Sequence, residues 1–85
     1  MTEPRNIVGP IVRELRLKKE LTQAALAAKL NIIGWDLSRD TLAKIENQTR
    51  WVADFEIPIL AKSIGVGPSE LLLLAVAKAP KRHHS

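Results

Sequence analysis

The chain has 85 residues, 46% of them hydrophobic, which leaves room for one compact core and none for a separate catalytic or effector domain. It contains no cysteine, so neither a disulfide nor a thiolate-ligated zinc site can supplement that core. Thirteen Lys and Arg against nine Asp and Glu leave a net charge of +4, which favours a polyanionic partner, nucleic acid first among them.

The leader MTEPRN carries no apolar signal segment, and the longest apolar run, Leu71 to Ala77, is too short to span a bilayer. A cytoplasmic protein with no membrane span is the expectation. Asn6 is placed to cap a first helix over Ile7–Lys19, with Pro10 in its first turn and Val8, Val12 and Leu15 as its apolar stripe. Arg16 falls on the border of that stripe. Thr22 caps a second, short helix over Gln23–Leu30, in which Leu26, Ala27 and Leu30 face inward. Asn31 to Leu37 contains Gly34 and no sustained helical period, so it reads as a turn tightened by Ile32, Ile33, Trp35 and Leu37.

Ser38 caps a third helix over Arg39–Asn47, and a loop from Gln48 to Ala53 follows. Asp54 is expected to cap a fourth helix that ends at Gly65, with Pro58 inside its first turn. Gly67-Pro68-Ser69-Glu70 signals the start of a fifth, Pro68 to Lys78. The domain thus covers residues 1–78, and APKRHHS at 79–85 reads as a disordered basic tail. No segment alternates apolar and polar residues over strand length, so the fold class is all-α, with five short helices in one domain.

The third helix separates cleanly on a wheel of about 100° per residue. Arg39, Asp40, Ala43, Lys44 and Asn47 share one polar arc, whereas Thr41, Leu42, Ile45 and Glu46 share the opposite, mostly apolar one. A helix held by Leu42 and Ile45 presents Arg39, Asp40, Ala43 and Lys44 outward from its N-terminal half. These residue types can read base edges: Arg or Lys donates to guanine, Asp accepts from cytosine N4, and Ala touches a thymine methyl. Standing alone, the same face reads as that of an ordinary solvated helix of mixed charge.

It does not stand alone. The stretch LTQAALAAKL followed by LSRDTLAKIEN resembles the helix-turn-helix of the Cro and XRE family of repressors, with VRELR before it and VADFEIPILAKSIGV and SELL after it. The similarity spans Val12 to Leu72. It implies a five-helix, lambda-repressor-like domain in which helices 2 and 3 form the motif and the third reads DNA.

Carried over by position, the resemblance makes Arg39, Asp40, Ala43 and Lys44 the base-reading residues. Gln23 matches a position that touches phosphate and braces the third helix. Ser38 and Asn47 match backbone contacts, and Thr49, Arg50 and Trp51 lie in a loop that often makes them too. Arg16 and Glu46 resemble the family's structural ion pair. One departure is the connection between Leu30 and Ser38, which is longer than the common family turn; Trp35 is expected to fill the added space as core.

No enzyme or cofactor is indicated. His83 and His84 sit side by side in the tail with no third metal ligand nearby, no Gly-rich phosphate loop occurs, and Ser38 has no histidine to activate it. Asp36, Asp40 and Glu46 could be imagined as a metal-binding carboxylate cluster, but the wheel sends Asp40 and Glu46 to different faces. The leading reading is therefore a transcriptional regulator, a repressor that binds an inverted repeat in double-stranded DNA as a homodimer. Its rival is a protein-interaction module such as the antitoxin of a toxin–antitoxin pair. The fifth helix supplies the dimer expectation: with Leu71, Leu74 and Ala75 inward, Leu72, Leu73 and Val76 are left toward solvent.

Overall fold

In the computed structural model, which describes residues 3–79, the chain forms α1 (Gly9–Lys18), α2 (Gln23–Ile33), α3 (Arg39–Glu46), α4 (Ile57–Ser63) and α5 (Pro68–Lys78), with a 3-10 turn, Asp54–Glu56, leading into α4. No strand occurs among the described residues. Apart from Ala79, whose amide donates to the Ala75 carbonyl at 2.9 Å, the basic tail expected over 79–85 lies outside them.

Helices this short are marginal alone, and a shared core holds them. Val8, Ile11 and Val12 meet Leu26 and Leu30 of α2, Leu42 and Ile45 of α3, Leu60 and Ile64 around α4, and Leu71 and Ala75 of α5. Each such large side chain contributes roughly 1.5–3 kcal/mol when fully buried. Helix α2 packs on α3 and α4, α1 lies against α3 and α5, and α4 lies against α5. A surface ion pair, Lys78 Nζ to Glu14 Oε2 at 2.8 Å, ties the end of α5 across α1.

Several boundaries and faces differ from the sequence reading. Helix α1 begins at Gly9 rather than Ile7, although Asn6 still caps it, its Oδ1 accepting from the Gly9 amide at 2.7 Å. Helix α2 runs on to Ile33, so Asn31, Ile32 and Ile33 of the expected turn extend the helix instead. Its stop is a Schellman motif: Gly34, at φ +116°, donates its amide to the Asn31 carbonyl, and the Trp35 amide reaches back to Leu30 at 2.9 Å. Asn31 Nδ2 then donates to the carbonyls of Trp35 and Leu37 and closes the connection, leaving Ile32 86% exposed instead of tightening it.

Asp54 does not cap α4. It lies inside the 3-10 turn, and Glu56 folds back so that its carboxylate accepts from the Ala53 amide at 2.9 Å. On α5 only Leu71 and Ala75, one turn apart, are fully buried. Leu74 is 39% exposed, because the strip covered by α1 and α4 is narrower than the three residues assigned to it.

Candidate nucleic-acid interface

Helix α3 is fixed from its inner side by buried Leu42 and Ile45 and by a buried charge pair. Glu46 Oε2 accepts from Arg16 Nε at 2.7 Å and its Oε1 from Arg16 Nη2 at 3.0 Å, a bidentate geometry. Gln23 Nε2 also donates to Oε1 at 3.0 Å, and Arg16 Nη1 donates to the Leu21 carbonyl at 2.7 Å. One carboxylate therefore gathers α1, the start of α2 and the end of α3. In this structure Gln23 braces α3 through that carboxylate.

The other side of α3 faces outward. Ser38 caps its N-terminus, the Oγ accepting from the Thr41 amide at 3.1 Å while it donates to Thr41 Oγ1. Arg39, Asp40 and Lys44 are exposed and Ala43 is half-buried among them. Arg39 Nη1 and Asp40 Oδ1 approach to 3.4 Å, a long contact between two exposed groups that constrains neither. The four residues thus share one outward face, with Arg39 and Asp40 in the first turn of α3 and Lys44 in its last.

The C-terminal end of α3 turns into the loop through Gln48, which has φ +64°. Asn47 and Thr49 are exposed, and the Thr49 amide and Oγ1 both donate to the Lys44 carbonyl. Arg50 is half-buried. Its Nη1 and Nη2 bond the two Glu56 oxygens at 3.1 and 3.3 Å, Nη1 also donates to the Trp51 carbonyl, and the guanidinium lies over the Trp35 ring. Trp35 itself is partly buried against the core.

Burial pushes the Glu56 carboxyl up, but the Arg50 hydrogen bond, the Ala53 amide and the Arg50 charge together outweigh that and hold it below the usual carboxylate range. Glu56 was not singled out in the sequence, where it appears only as one acid of a first helical turn. Asn6 was recognised as a cap, yet its bonds to Ile45 and Arg50 span some forty positions and have no local signature.

Trp51 is 68% exposed and, with Pro4, Ile7, Val52, Ile57 and Leu72, lines an open apolar groove beside this loop. Leu72, Leu73 and Val76 of α5 are 41%, 71% and 62% exposed.

A helix-turn-helix family model matches residues 12–71, from within α1 to the first buried leucine of α5. The chain belongs to the Cro/XRE-type helix-turn-helix family. Helices α2 and α3 are the motif itself, and this helix-turn-helix protein is a DNA-binding regulator. No curated protein and no solved structure matches the chain. Among the described residues no single helix of this helix-turn-helix protein is long and apolar enough to cross a membrane.

Proposed function

We propose that this helix-turn-helix protein represses transcription by docking α3 in the major groove of an inverted repeat, which it reads as a homodimer. The observation that carries the proposal is the division of α3. Arg39, Asp40, Ala43 and Lys44 share its outward face, from the capped N-terminus to the last turn, while Leu42, Ile45 and Glu46 anchor the other face. Arg39 and Lys44 can donate to guanine O6 and N7, Asp40 can accept from cytosine N4, and Ala43 can touch a thymine methyl. Gln23, Ser38, Asn47, Thr49 and Trp51 flank that surface as phosphate contacts that set its register, and Arg50 acts on the loop from within.

The dimer rests on Leu72, Leu73 and Val76, an apolar strip beyond what the core uses. Two-fold pairing through α5 would set the two copies of α3 about one DNA turn, roughly 34 Å, apart. The same strip also supports a second reading, in which α5 receives a different protein such as a toxin or co-regulator.

Selection from random duplexes followed by mobility shift tests the proposal. Arg39→Ala should cost about 1–3 kcal/mol on the selected site and relax preference at one base pair. Unchanged base preference would reject the outward face of α3 as the reader, and a chain with no salt-dependent duplex affinity would favour the pure interaction module.

A further inference from the structure

We infer that Asn6 and Gln48 form a clasp that holds the loop after α3 in its DNA-binding position, so that both are positioning residues for a surface they do not themselves form. The inference rests on the reading of Thr49 and Trp51 as DNA-backbone contacts.

Helix α3 ends in a Schellman motif, with the Gln48 amide bonded to the Ile45 carbonyl at 3.0 Å and the Thr49 amide to the Lys44 carbonyl at 2.9 Å. The left-handed position of that motif is ordinarily glycine, since a side chain there crowds its own backbone. Here it is Gln48, at φ +64°. Such a conformation persists where the surroundings over-determine it. Gln48 Nε2 donates to the Asn6 carbonyl at 2.8 Å, and the Gln48 carbonyl accepts from the Arg5 amide at 3.0 Å.

Asn6 completes the ring from the other side. Its Nδ2 donates to the Ile45 carbonyl at 3.0 Å and to the Arg50 carbonyl at 2.9 Å, while Oδ1 caps α1. One side chain therefore caps the start of α1 and the end of α3, and it also holds the loop two residues beyond Gln48. The Arg50 side chain is fixed in turn by Glu56 and Trp35. Backbone and guanidinium are both tied down, and Thr49 and Trp51 are left facing outward. A loop ordered before binding loses less freedom when it meets DNA, so loosening it weakens affinity without changing which bases are read.

The test uses Asn6→Asp and Gln48→Gly in the full chain, with a duplex selected on the parent chain from random-sequence DNA as the probe. Asn6→Asp keeps the oxygen that caps α1 and removes the donors to Ile45 and Arg50. Gln48→Gly relieves the left-handed backbone and removes the bond to Asn6.

Both variants should bind roughly three- to tenfold more weakly, with a salt slope shallower by about one and an unchanged order of base preference. Gln48→Gly should nevertheless melt at or above the parent temperature, a split that a merely structural role would not produce. It also decides the matter if Asn6→Asp fails to fold. Parent-like affinity and salt slope in Gln48→Gly, or an altered base preference, overturns the clasp. Thr49→Ala and Trp51→Ala separate the causes. If they too leave affinity and slope unchanged, the loop touches no phosphate and the inference falls with the reading beneath it; if they respond while Gln48→Gly does not, the clasp alone is wrong.

Discussion

The Arg50 guanidinium lies over the indole of Trp35, 5.5 Å from the ring centroid, so the loop that follows α3 is tied to the connection that precedes it. The same guanidinium pairs with Glu56 at the entry to α4. The segments on either side of α3 are thereby braced against each other through one cation.

That brace carries a pH dependence whose sign follows from Glu56. Its folded carboxyl titrates below the ordinary value of 4.5, so the ionised form favours the folded state. The contribution is fully present above the ordinary value and is lost as pH falls through the depressed one. Glu56→Gln should be less stable than the parent at neutral pH and converge on it in acid. Parallel acid-denaturation curves for the two proteins would remove Glu56 from this role.

Arg16→Ala or Glu46→Ala should destabilise the fold by about 3–5 kcal/mol, because each leaves a buried charge with its partner gone. Urea unfolding measures this directly. A variant that unfolds like the parent yet fails to bind DNA would mean that the pair serves recognition instead of stability.

Gly9 is buried where α1 crosses the end of α3, and a Cβ built on it would collide with the Ile45 carbonyl oxygen. Because the obstacle is backbone, neither partner can rotate away. Gly9→Ala is expected to cost about 1–3 kcal/mol, the range for overpacking a tight contact. Thermal melts indistinguishable from the parent's would show that the two helices slide apart freely.

Leu73, 71% exposed on α5, is the position of choice for testing self-association. Sedimentation equilibrium should give a dimer for the parent and a monomer for Leu73→Glu, with both equally folded. A parent chain that stays monomeric at high micromolar concentration would rule out a preformed dimer.

Much of this architecture is legible in the sequence because its signals are local. Thr22, Ser38 and the Gly67-Pro68 pair mark helix starts that the structure keeps, and the periodicity of α3 separates Leu42 and Ile45 from Arg39, Asp40 and Lys44. The errors arise where a partner distant in sequence decides. Asn31 continues α2 because its amide group finds the carbonyls of Trp35 and Leu37 beyond the helix end. Leu74 faces outward because neighbouring helices, not its own period, set how wide the covered strip is. Equally unannounced by any spacing rule is the convergence of Arg50, Glu56 and Trp35.

The outward side chains of α3 carry almost no internal duties. Among the described residues, the side chains of Arg39 and Asp40 bond only each other, and that of Lys44 makes no hydrogen bond or ion pair. Exchanging them should be nearly neutral for folding, as substitutions away from core, caps and charge pairs generally are. Selection for a new target sequence would then act on a scaffold whose stability is already secured elsewhere. Descendants of such a chain can diverge in what they read while remaining interchangeable in how they fold.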